Sequence, residues 1–187
     1  FTEDCRTGIL ARRPAPVQVN FLGYPGTMGA PYMDYIVADR MLIGDGEDRF
    51  YDEKIVYLPD TYQPNDSGRR VAARTPTRAE AGLPETGFVF CCFNNSFKIQ
   101  PDTFPVWMRL LGAVDGSVMW LLHDNDWAAA NLRREAQARG IAPERLIFAA
   151  RARPEDYLAR QRLADLFLDT LPYNAHTTSS DALWVGL

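Results

Sequence analysis

The amino-acid sequence predicts an α/β protein in which parallel strands form a doubly wound sheet. From residue 88 onward, short apolar runs alternate with amphipathic segments of about a dozen residues, which is the pattern of strands and helices in turn. Gly, Pro and acidic residues lie at the ends of these segments, where they start or stop helices. Because a helix separates each pair of strands, crossover connections are needed, and these join parallel strands in a right-handed sense.

The first half of the chain carries weaker signals. The stretch 17–24 (VQVNFLGY) predicts a strand that enters a turn at 25–29. Shorter candidate strands follow at 34–38 and 56–58. The polar stretch 63–87 is rich in Pro, Gly and Arg, which predicts a linker. We therefore expect the chain to divide within that stretch.

Strands and helices then alternate to the end of the chain. The predicted strands are 88–93, 118–122, 146–149 and 166–169, and the predicted helices are 101–114, 126–139, 154–164 and a segment from residue 177. The first of these strands, FVFCCF, is apolar throughout, which is typical of a strand covered on both faces. Pro101 and Asp102 suit the start of the first helix, and Asp126 is the expected N-cap of the second.

Composition excludes several classes of protein. The net charge is −4 with acids and bases interspersed, so the chain lacks the basic face of a nucleic-acid-binding protein. No apolar run approaches the roughly 20 residues that a membrane-spanning helix needs, and the opening FTEDCRTG does not resemble a signal peptide. Neighbouring Cys91 and Cys92 would point to opposite faces of a strand, which predicts buried free thiols in a reducing cytoplasm rather than a disulfide or metal pair.

Ligands of open α/β sheets bind beyond the carboxyl ends of the strands. The loops predicted at this carboxyl edge are 94–98, 123–125, 150–153 and 170–178. In the last loop, Thr177, Thr178 and Ser179 open a helix, and the free amides of such a terminus bind phosphate. Asp181, in the first turns, is placed to accept a hydrogen bond from a ribose hydroxyl. The alternative is that a threonine caps the helix and Asp181 complements its dipole.

Other features of these loops leave alternatives open. Lys98 either neutralises a pyrophosphate or is a solvated surface lysine, and Asn94 and Asn95 either bind a ligand or close the turn. The glycine-rich loop 23–29 matches neither a dinucleotide-binding fingerprint nor a P-loop. The two histidines are far apart in sequence, so we expect no metal site, and the lack of a G-x-S-x-G elbow leaves hydrolase chemistry unsupported.

Four strings occur in a fixed order: NFLGYPGTMGAPYMDYIVAD, YDEKIVYLPDTYQPND, FNNSFKIQP and LADLFLDTLPYNAHTTSSDALWVGL. Together they resemble the catalytic region of glycosyltransferase family 41, which includes the O-linked N-acetylglucosamine (GlcNAc) transferases and the SPINDLY O-fucosyltransferases. The resemblance starts near Val17 and implies a GT-B architecture, with two Rossmann-like lobes built on parallel sheets. It assigns residues 1–83 to the last part of the N-terminal lobe plus linker, and residues 84–187 to the first part of the nucleotide-binding C-terminal lobe.

The resemblance also implies roles for residues at the carboxyl edge. Lys98 resembles the lysine that contacts the diphosphate and stabilises the leaving group. Thr177 and Thr178 resemble the phosphate-binding pair at the helix start, and His176 is expected near the diphosphate and the sugar. Asp181 resembles the ribose ligand.

A second group of residues falls where the family holds the base. Arg160 and the backbone near Ala152 correspond to the uracil-binding position. Asn95 stands in place of a glutamine of the animal enzymes, and Tyr157 replaces a base-stacking histidine but keeps an aromatic ring. Pro154 replaces a ribose-binding lysine, so we expect that contact to be lost.

The family resemblance predicts an inverting glycosyltransferase that moves GlcNAc from UDP-GlcNAc to Ser/Thr hydroxyls of proteins, with no cofactor and no metal. Pro25, Gly26 and Thr27 resemble the loop that lines the sugar pocket, and the string GYPGT favours GlcNAc. The alternatives are an O-fucosyltransferase that uses GDP-fucose, another hexosyltransferase of the same family, or a non-catalytic nucleotide-binding module.

The resemblance further implies the setting of the protein. Its partners would be a nucleotide-sugar donor and a protein acceptor, presented by N-terminal tetratricopeptide repeats in a full-length parent, in the cytoplasm of a bacterium. No nucleic acid or membrane partner is expected. The family's catalytic histidine of the early N-terminal lobe has no counterpart here, so we expect a longer parent protein and an isolated chain that is inactive.

Overall fold

The computed structural model describes residues 5–187; residues 1–4, which open the FTEDCRTG stretch, lie outside the described residues. The chain divides into two compact units, Phe1–Asn65 and Asp66–Leu187. The division falls inside the stretch 63–87 that the sequence predicts as a linker. Each unit contains its own parallel sheet.

The first unit is built on a three-stranded parallel sheet in the order β1-β2-β3. Its elements are helix α1 (Thr7–Leu10) and strands β1 (Val19–Asn20), β2 (Tyr35–Ala38) and β3 (Lys54–Tyr57). Strands occur at all three predicted positions, but β1 is shorter than the strand predicted over 17–24. Leu22 adopts a φ of 70°, which is incompatible with an extended strand.

The second unit is a four-stranded parallel sheet in the order β6-β5-β4-β7, with a helix after every strand. Its elements are β4 (Val89–Cys92), α2 (Phe104–Ala113), β5 (Val118–Leu122), α3 (Asp126–Gln137), β6 (Leu146–Ala149), α4 (Pro154–Arg160), β7 (Leu166–Phe167) and α5 (Thr177–Trp184). The predicted alternation and the predicted doubly wound parallel sheet are confirmed.

The central strand β4 is buried on both faces because alternate side chains enter two separate apolar layers. Phe90 and Cys92 belong to the layer that contains α2, whereas Val89 and Cys91 belong to the layer on the opposite face. Both thiols are free, as predicted. Burial raises the pKa of Cys92 to about 12, so this thiol stays protonated and unreactive at neutral pH.

The structure corrects several predicted helix ends. The N-cap of α3 is Asn125, not Asp126: the Asn125 side chain accepts a hydrogen bond from the amide of Ala128 at 2.8 Å, while the Asp126 side chain is almost fully exposed. Helix α2 begins at Phe104 rather than near Pro101, and it carries a proline in its first turn. Helix α4 ends at Arg160 and continues as a 3-10 turn, Gln161–Leu163.

The stretch after the division packs onto the second unit rather than spanning open solvent. The amide of Ala72 donates to the carbonyl of Glu155, and Leu83 is buried in the same apolar layer as Val89. Residues 66–83 therefore belong structurally with the sheet that follows them. Within the described part of the chain, no helix has the length and apolar character needed to cross a membrane.

Candidate functional site

The loops that follow β4 and β7 are joined by hydrogen bonds at the carboxyl edge of the second sheet. Buried Asn94, directly after β4, donates from Nδ2 to the hydroxyl of Thr170 at 2.8 Å. Its Oδ1 accepts a hydrogen bond from the hydroxyl of Thr178, at the start of α5. Asn94 is thus a structural bridge, and it brings the first turn of α5 to the end of the central strand.

Lys98 lies on the same edge as the start of α5. It ends a 3-10 turn, Ser96–Lys98, and its Nζ donates to the carbonyl of Asn174 at 3.0 Å and lies 4.1 Å from the ring centroid of Tyr173. Burial lowers the pKa of Lys98, while the carboxylate of Asp169 opposes the shift. The ammonium group and the loop that precedes α5 are therefore neighbours, as the sequence prediction of a diphosphate site requires.

Asp169 holds that loop in shape, although no sequence motif pointed to this residue. Its Oδ1 accepts from the amides of Thr170 and Ala175, both at 2.7 Å, and its Oδ2 accepts from Nδ2 of Asn174 at 2.8 Å. The strand predicted over 166–169 ends at Phe167. Asp169 therefore lies outside the strand, and its carboxylate forms hydrogen bonds to the loop. The sequence feature that could have identified Asp169 is an acidic residue between a predicted strand and a polar loop.

Helix α5 presents its first amides at this edge. Its N-cap position is His176, without a side-chain capping bond, so neither threonine is the cap. The amide of Ser180 donates to the carbonyl of His176, which places the amides of Thr177, Thr178 and Ser179 ahead of the first helical hydrogen bond. Burial and the nearby Lys98 charge lower the pKa of His176, so its imidazole is neutral near pH 7.

A pocket of about 370 Å³ opens beside the start of α5, a size at the lower end of ligand sites. It is lined by Phe93, Asn95, Leu122, Arg151, Ala152, Pro154, Tyr157, Arg160, Thr178 and Asp181. The tertiary structure thus brings together six of the predicted nucleotide-sugar-binding residues, from four separate parts of the second unit. Lys98, His176 and Thr177 lie at the same carboxyl edge but do not line this pocket.

Arg160 contributes buried donors to the pocket wall. The side chain is nine-tenths buried over the ring of Phe93, and its Nη1 donates to the carbonyl of Ala150 at 2.6 Å. Among the described residues, its Nε and Nη2 and the hydroxyl of Tyr157 have no hydrogen-bond partner. Burial raises the pKa of Tyr157, so its hydroxyl stays a donor. Buried polar atoms of this kind favour a polar ligand, since leaving each unpaired costs about 1–3 kcal/mol.

Asp181 is a buried carboxylate on the pocket wall. It forms an ion pair with Arg69, a residue that the sequence analysis did not single out. Burial raises the pKa of Asp181, and the guanidinium of Arg69 opposes the shift. The two residues are 112 positions apart, so no local pattern could have paired them.

The remaining predicted residues lie in the first unit, in the turn after β1. Buried Glu53 holds this turn: its carboxylate accepts from the hydroxyl of Thr27 and from the amide of Met28, both at 2.7 Å. The Asn20 side chain donates to the carbonyl of Gly26 at 3.1 Å. Pro25, Gly26 and Thr27 thus form an ordered turn. They are absent from the lining of a cavity of about 370 Å³ in this unit, to which Gly23, Tyr24 and Met28 contribute.

No group of three or more His, Cys, Asp and Glu side chains in residues 5–187 is arranged to hold a metal ion. The ordered groups at the carboxyl edge are instead an ammonium, backbone amides, a guanidinium and carboxylates. A pocket lined by Arg160, Tyr157 and Asp181, next to the Lys98 ammonium and the first amides of α5, suits a nucleoside diphosphate.

The two parallel sheets, with a pocket at the carboxyl edge of the second, define the fold class: an α/β protein with the Rossmann-like sheets of the GT-B type. The family model described as Glycosyl transferase family 41 matches residues 1–73 and 65–187. The chain belongs to glycosyltransferase family 41, because these two matches together span it completely.

Curated relatives match over the whole chain. A probable UDP-N-acetylglucosamine–peptide N-acetylglucosaminyltransferase SEC of Arabidopsis thaliana is 38% identical, and the chain covers 20% of it. A relative of the same enzymatic description from Caenorhabditis elegans is 25% identical, with 26% of it covered. A probable SPINDLY transferase of Petunia hybrida is 31% identical, with 20% of it covered. The chain thus spans between a fifth and about a quarter of the length of these relatives.

Solved structures show the same likeness. A mutant O-GlcNAc transferase of Thermobaculum terrenum superposes with a TM-score of 0.79 at 34% identity, over 95% of this chain and 34% of that one. WaaG, a glycosyltransferase of lipopolysaccharide biosynthesis, superposes with a TM-score of 0.53 over 97% of this chain and 60% of that one. At 15% identity, the second likeness concerns the fold alone.

Proposed function

We propose that this protein is an inverting glycosyltransferase that moves GlcNAc from UDP-GlcNAc to Ser/Thr hydroxyls of proteins. One observation carries the proposal: Lys98 and the first amides of α5 converge at the carboxyl edge, beside a pocket that contains buried polar groups. The likeness to relatives named as peptide N-acetylglucosaminyltransferases supports the choice of donor and acceptor.

In this proposal the pocket holds the nucleoside. Arg160 and the backbone of Ala152 bind the uracil edge, and the ring of Tyr157 flanks the base. Asn95, which also lines the pocket, contacts the same nucleotide. Asp181 accepts a hydrogen bond from the ribose. Pro154 offers no amine at the pocket wall, so the ribose depends on Asp181 more than it would beside a lysine.

The diphosphate would lie between Lys98 and the start of α5. As the acceptor hydroxyl attacks the anomeric carbon, the bond from that carbon to the diphosphate oxygen breaks and negative charge builds on the phosphate. The Lys98 ammonium and the amides of Thr177 and Thr178 stabilise that charge. The ammonium is held by the carbonyl of Asn174, and the bond from the Thr178 hydroxyl to Asn94 holds the start of α5. Neutral His176 adds a hydrogen-bonding group beside the diphosphate and sugar without adding charge.

The first unit would supply the sugar-facing loop, and its ordered turn is suited to that role. Glu53 fixes Thr27, and a Cβ at Gly26 would lie 2.5 Å from the ring of Tyr24, so a larger residue there would require that ring to move. In the assignment that follows from the family, residues 1–83 are the end of the N-terminal lobe plus linker and residues 84–187 are the start of the C-terminal lobe. The acceptor protein, the tetratricopeptide repeats that present it and a cytoplasmic setting belong to the same proposal.

A donor comparison on the full-length protein tests this function. UDP-GlcNAc, GDP-fucose and UDP-glucose are each incubated with the protein and a Ser/Thr-containing acceptor, and the acceptor mass is measured. We expect a mass increase of one N-acetylhexosamine with UDP-GlcNAc alone. Isothermal titration of the three donors then reports binding separately from transfer.

Each other outcome has a defined reading. Transfer of a deoxyhexose would make the protein an O-fucosyltransferase, and transfer of a hexose would make it another hexosyltransferase of the family. Either result would overturn the choice of donor. Binding of UDP without any transfer would indicate a non-catalytic nucleotide-binding module. Absence of both binding and transfer would contradict the nucleotide site itself.

A further inference from the structure

The ion pair between Arg69 and Asp181 joins the pocket wall to a segment remote from the carboxyl edge in sequence. Arg69 Nη1 contacts Oδ1 of Asp181, and its guanidinium lies 4.8 Å from the ring centroid of Trp184, on the same helix. The side chains of Arg69 and Asp181 are only 20% and 12% exposed. The pair is therefore partly desolvated, unlike the exposed ion pairs that contribute little to structure.

The contact bears on how Asp181 faces the pocket. A carboxylate withdrawn from water is unfavourable unless a partner compensates its charge. Arg69 provides that partner through one carboxylate oxygen, Oδ1, while Asp181 also lines the pocket. The contact on the Trp184 ring restricts the guanidinium, which in turn restricts the rotation of the carboxylate.

We infer that Arg69 is a positioning residue that orients the carboxylate of Asp181 to receive a ribose hydroxyl of the bound nucleotide. The inference rests on the proposed function, because there Asp181 is a nucleotide ligand. Arg69 acts through Asp181 and is absent from the pocket lining. It extends the nucleotide site to the segment directly after the division of the chain at Asn65.

The next residue provides a matched control. Arg70 also forms an ion pair, with Glu155 at 3.0 Å, but its side chain is 83% exposed and its partner does not line the pocket. The substitutions R69M and R70M remove the same charge from adjacent positions. Only R69M removes the positive charge that pairs with Asp181.

The test measures dissociation constants of UDP, 2′-deoxy-UDP and 3′-deoxy-UDP for the full-length protein by isothermal titration. We expect wild type to bind UDP more tightly than at least one deoxy analogue, since that analogue lacks a hydroxyl that Asp181 accepts. R69M should weaken UDP binding roughly tenfold and reduce the preference for UDP over that analogue. D181N should also weaken UDP binding and reduce that preference. The double variant R69M/D181N should differ little from either single variant, whereas R70M should bind UDP as wild type does.

Two results would overturn the inference. One is an R69M protein with the wild-type preference for UDP, whatever its overall affinity, because a merely structural loss weakens all three ligands equally. The other is an R70M protein that loses the preference as R69M does. Should R69M fail to fold, R69Q gives the same comparison with the same two readings. A wild-type protein that binds none of the three nucleotides would instead contradict the proposed function.

Discussion

The two units differ in what holds their sheets together. In the second unit, apolar layers cover both faces of β4 and β5, with Trp107, Leu111 and Trp120 almost fully buried. In the described part of the first unit, the buried cluster of the sheet consists of Ile36, Ala38 and Ile43, with a few partly buried residues packed against it. The strands of the first unit therefore bury little apolar surface, and other interactions must fix its loops.

Buried carboxylates supply those interactions in the first unit. Asp39 accepts from the amides of Met41, Leu42 and Tyr62, and Glu53 holds the turn after β1. The second unit uses the same kind of interaction at Asp169, but on a sheet that apolar layers cover on both faces. An apolar sheet can therefore place a chemical site at its edge, whereas a small sheet relies on carboxylate–amide bonds to order a loop.

The largest expected effect is on turnover, and it distinguishes Lys98 of the second unit from Lys54 of the first. Lys98→Ala should lower turnover of UDP-GlcNAc about 10²–10³-fold, because the leaving diphosphate loses a preorganised cation. Lys54→Ala removes an equivalent charge at the ring of Tyr35 in the first unit and should leave turnover within about twofold. Initial rates of sugar transfer by the full-length proteins give the comparison. Near-normal turnover in Lys98→Ala would count against the site.

The second-largest expected effect tests whether the apolar cores of the two units act separately. Leu111→Ala and Ile36→Ala each delete a nearly fully buried side chain and should each cost about 2–5 kcal/mol locally. Hydrogen exchange should show faster opening of β4 and β5 in the first variant and of β2 in the second. We expect only Leu111→Ala to weaken UDP binding, since the sheet beneath the pocket loosens. Equal weakening by both variants would mean that the cores do not act separately.

A smaller effect distinguishes the two loop-holding carboxylates. Asp169→Asn replaces an oxygen acceptor by a donor at the loop before α5, at a cost of about 1–3 kcal/mol, and should weaken UDP binding roughly tenfold. Glu53→Gln makes the same change at Thr27 and Met28 and should raise the KM for UDP-GlcNAc while leaving the Kd for UDP unchanged. Calorimetry and steady-state kinetics separate these outcomes. A change in UDP affinity in Glu53→Gln would contradict the assignment of UDP binding to the second unit.

The smallest effect is on the pH dependence of turnover. Burial lowers the pKa of Lys98, and the leaving group is stabilised only by its charged form. The rate should therefore fall as pH rises through that lowered pKa, at a lower pH than the usual value of about 10.4 would give. Lys98→Arg keeps its charge, so its profile should stay flat over the same range, whatever its absolute rate. Profiles of kcat from about pH 7 to about pH 10 provide the check.

Much of the second unit was predictable because its signals are local. The apolar run of β4 and the alternation of strands and helices fix each element from a few neighbouring residues, and the general position of ligands at the carboxyl edge then selects Lys98 and the start of α5. The N-cap of α3 was missed by one position, because Asn125 and Asp126 are both good caps and only the backbone geometry chooses between them.

The fold class, the family and the residue types at the sheet edge could be predicted from the sequence, since periodicity and motif strings are properties of contiguous residues. The tertiary structure alone decided that Arg69 faces Asp181, that Asp169 shapes the loop before α5 and that Glu53 holds the turn at Thr27. These contacts depend on side-chain direction and burial. A charged residue that is remote in sequence from its partner looks like any solvated one until the packed sheet brings the two together and excludes water.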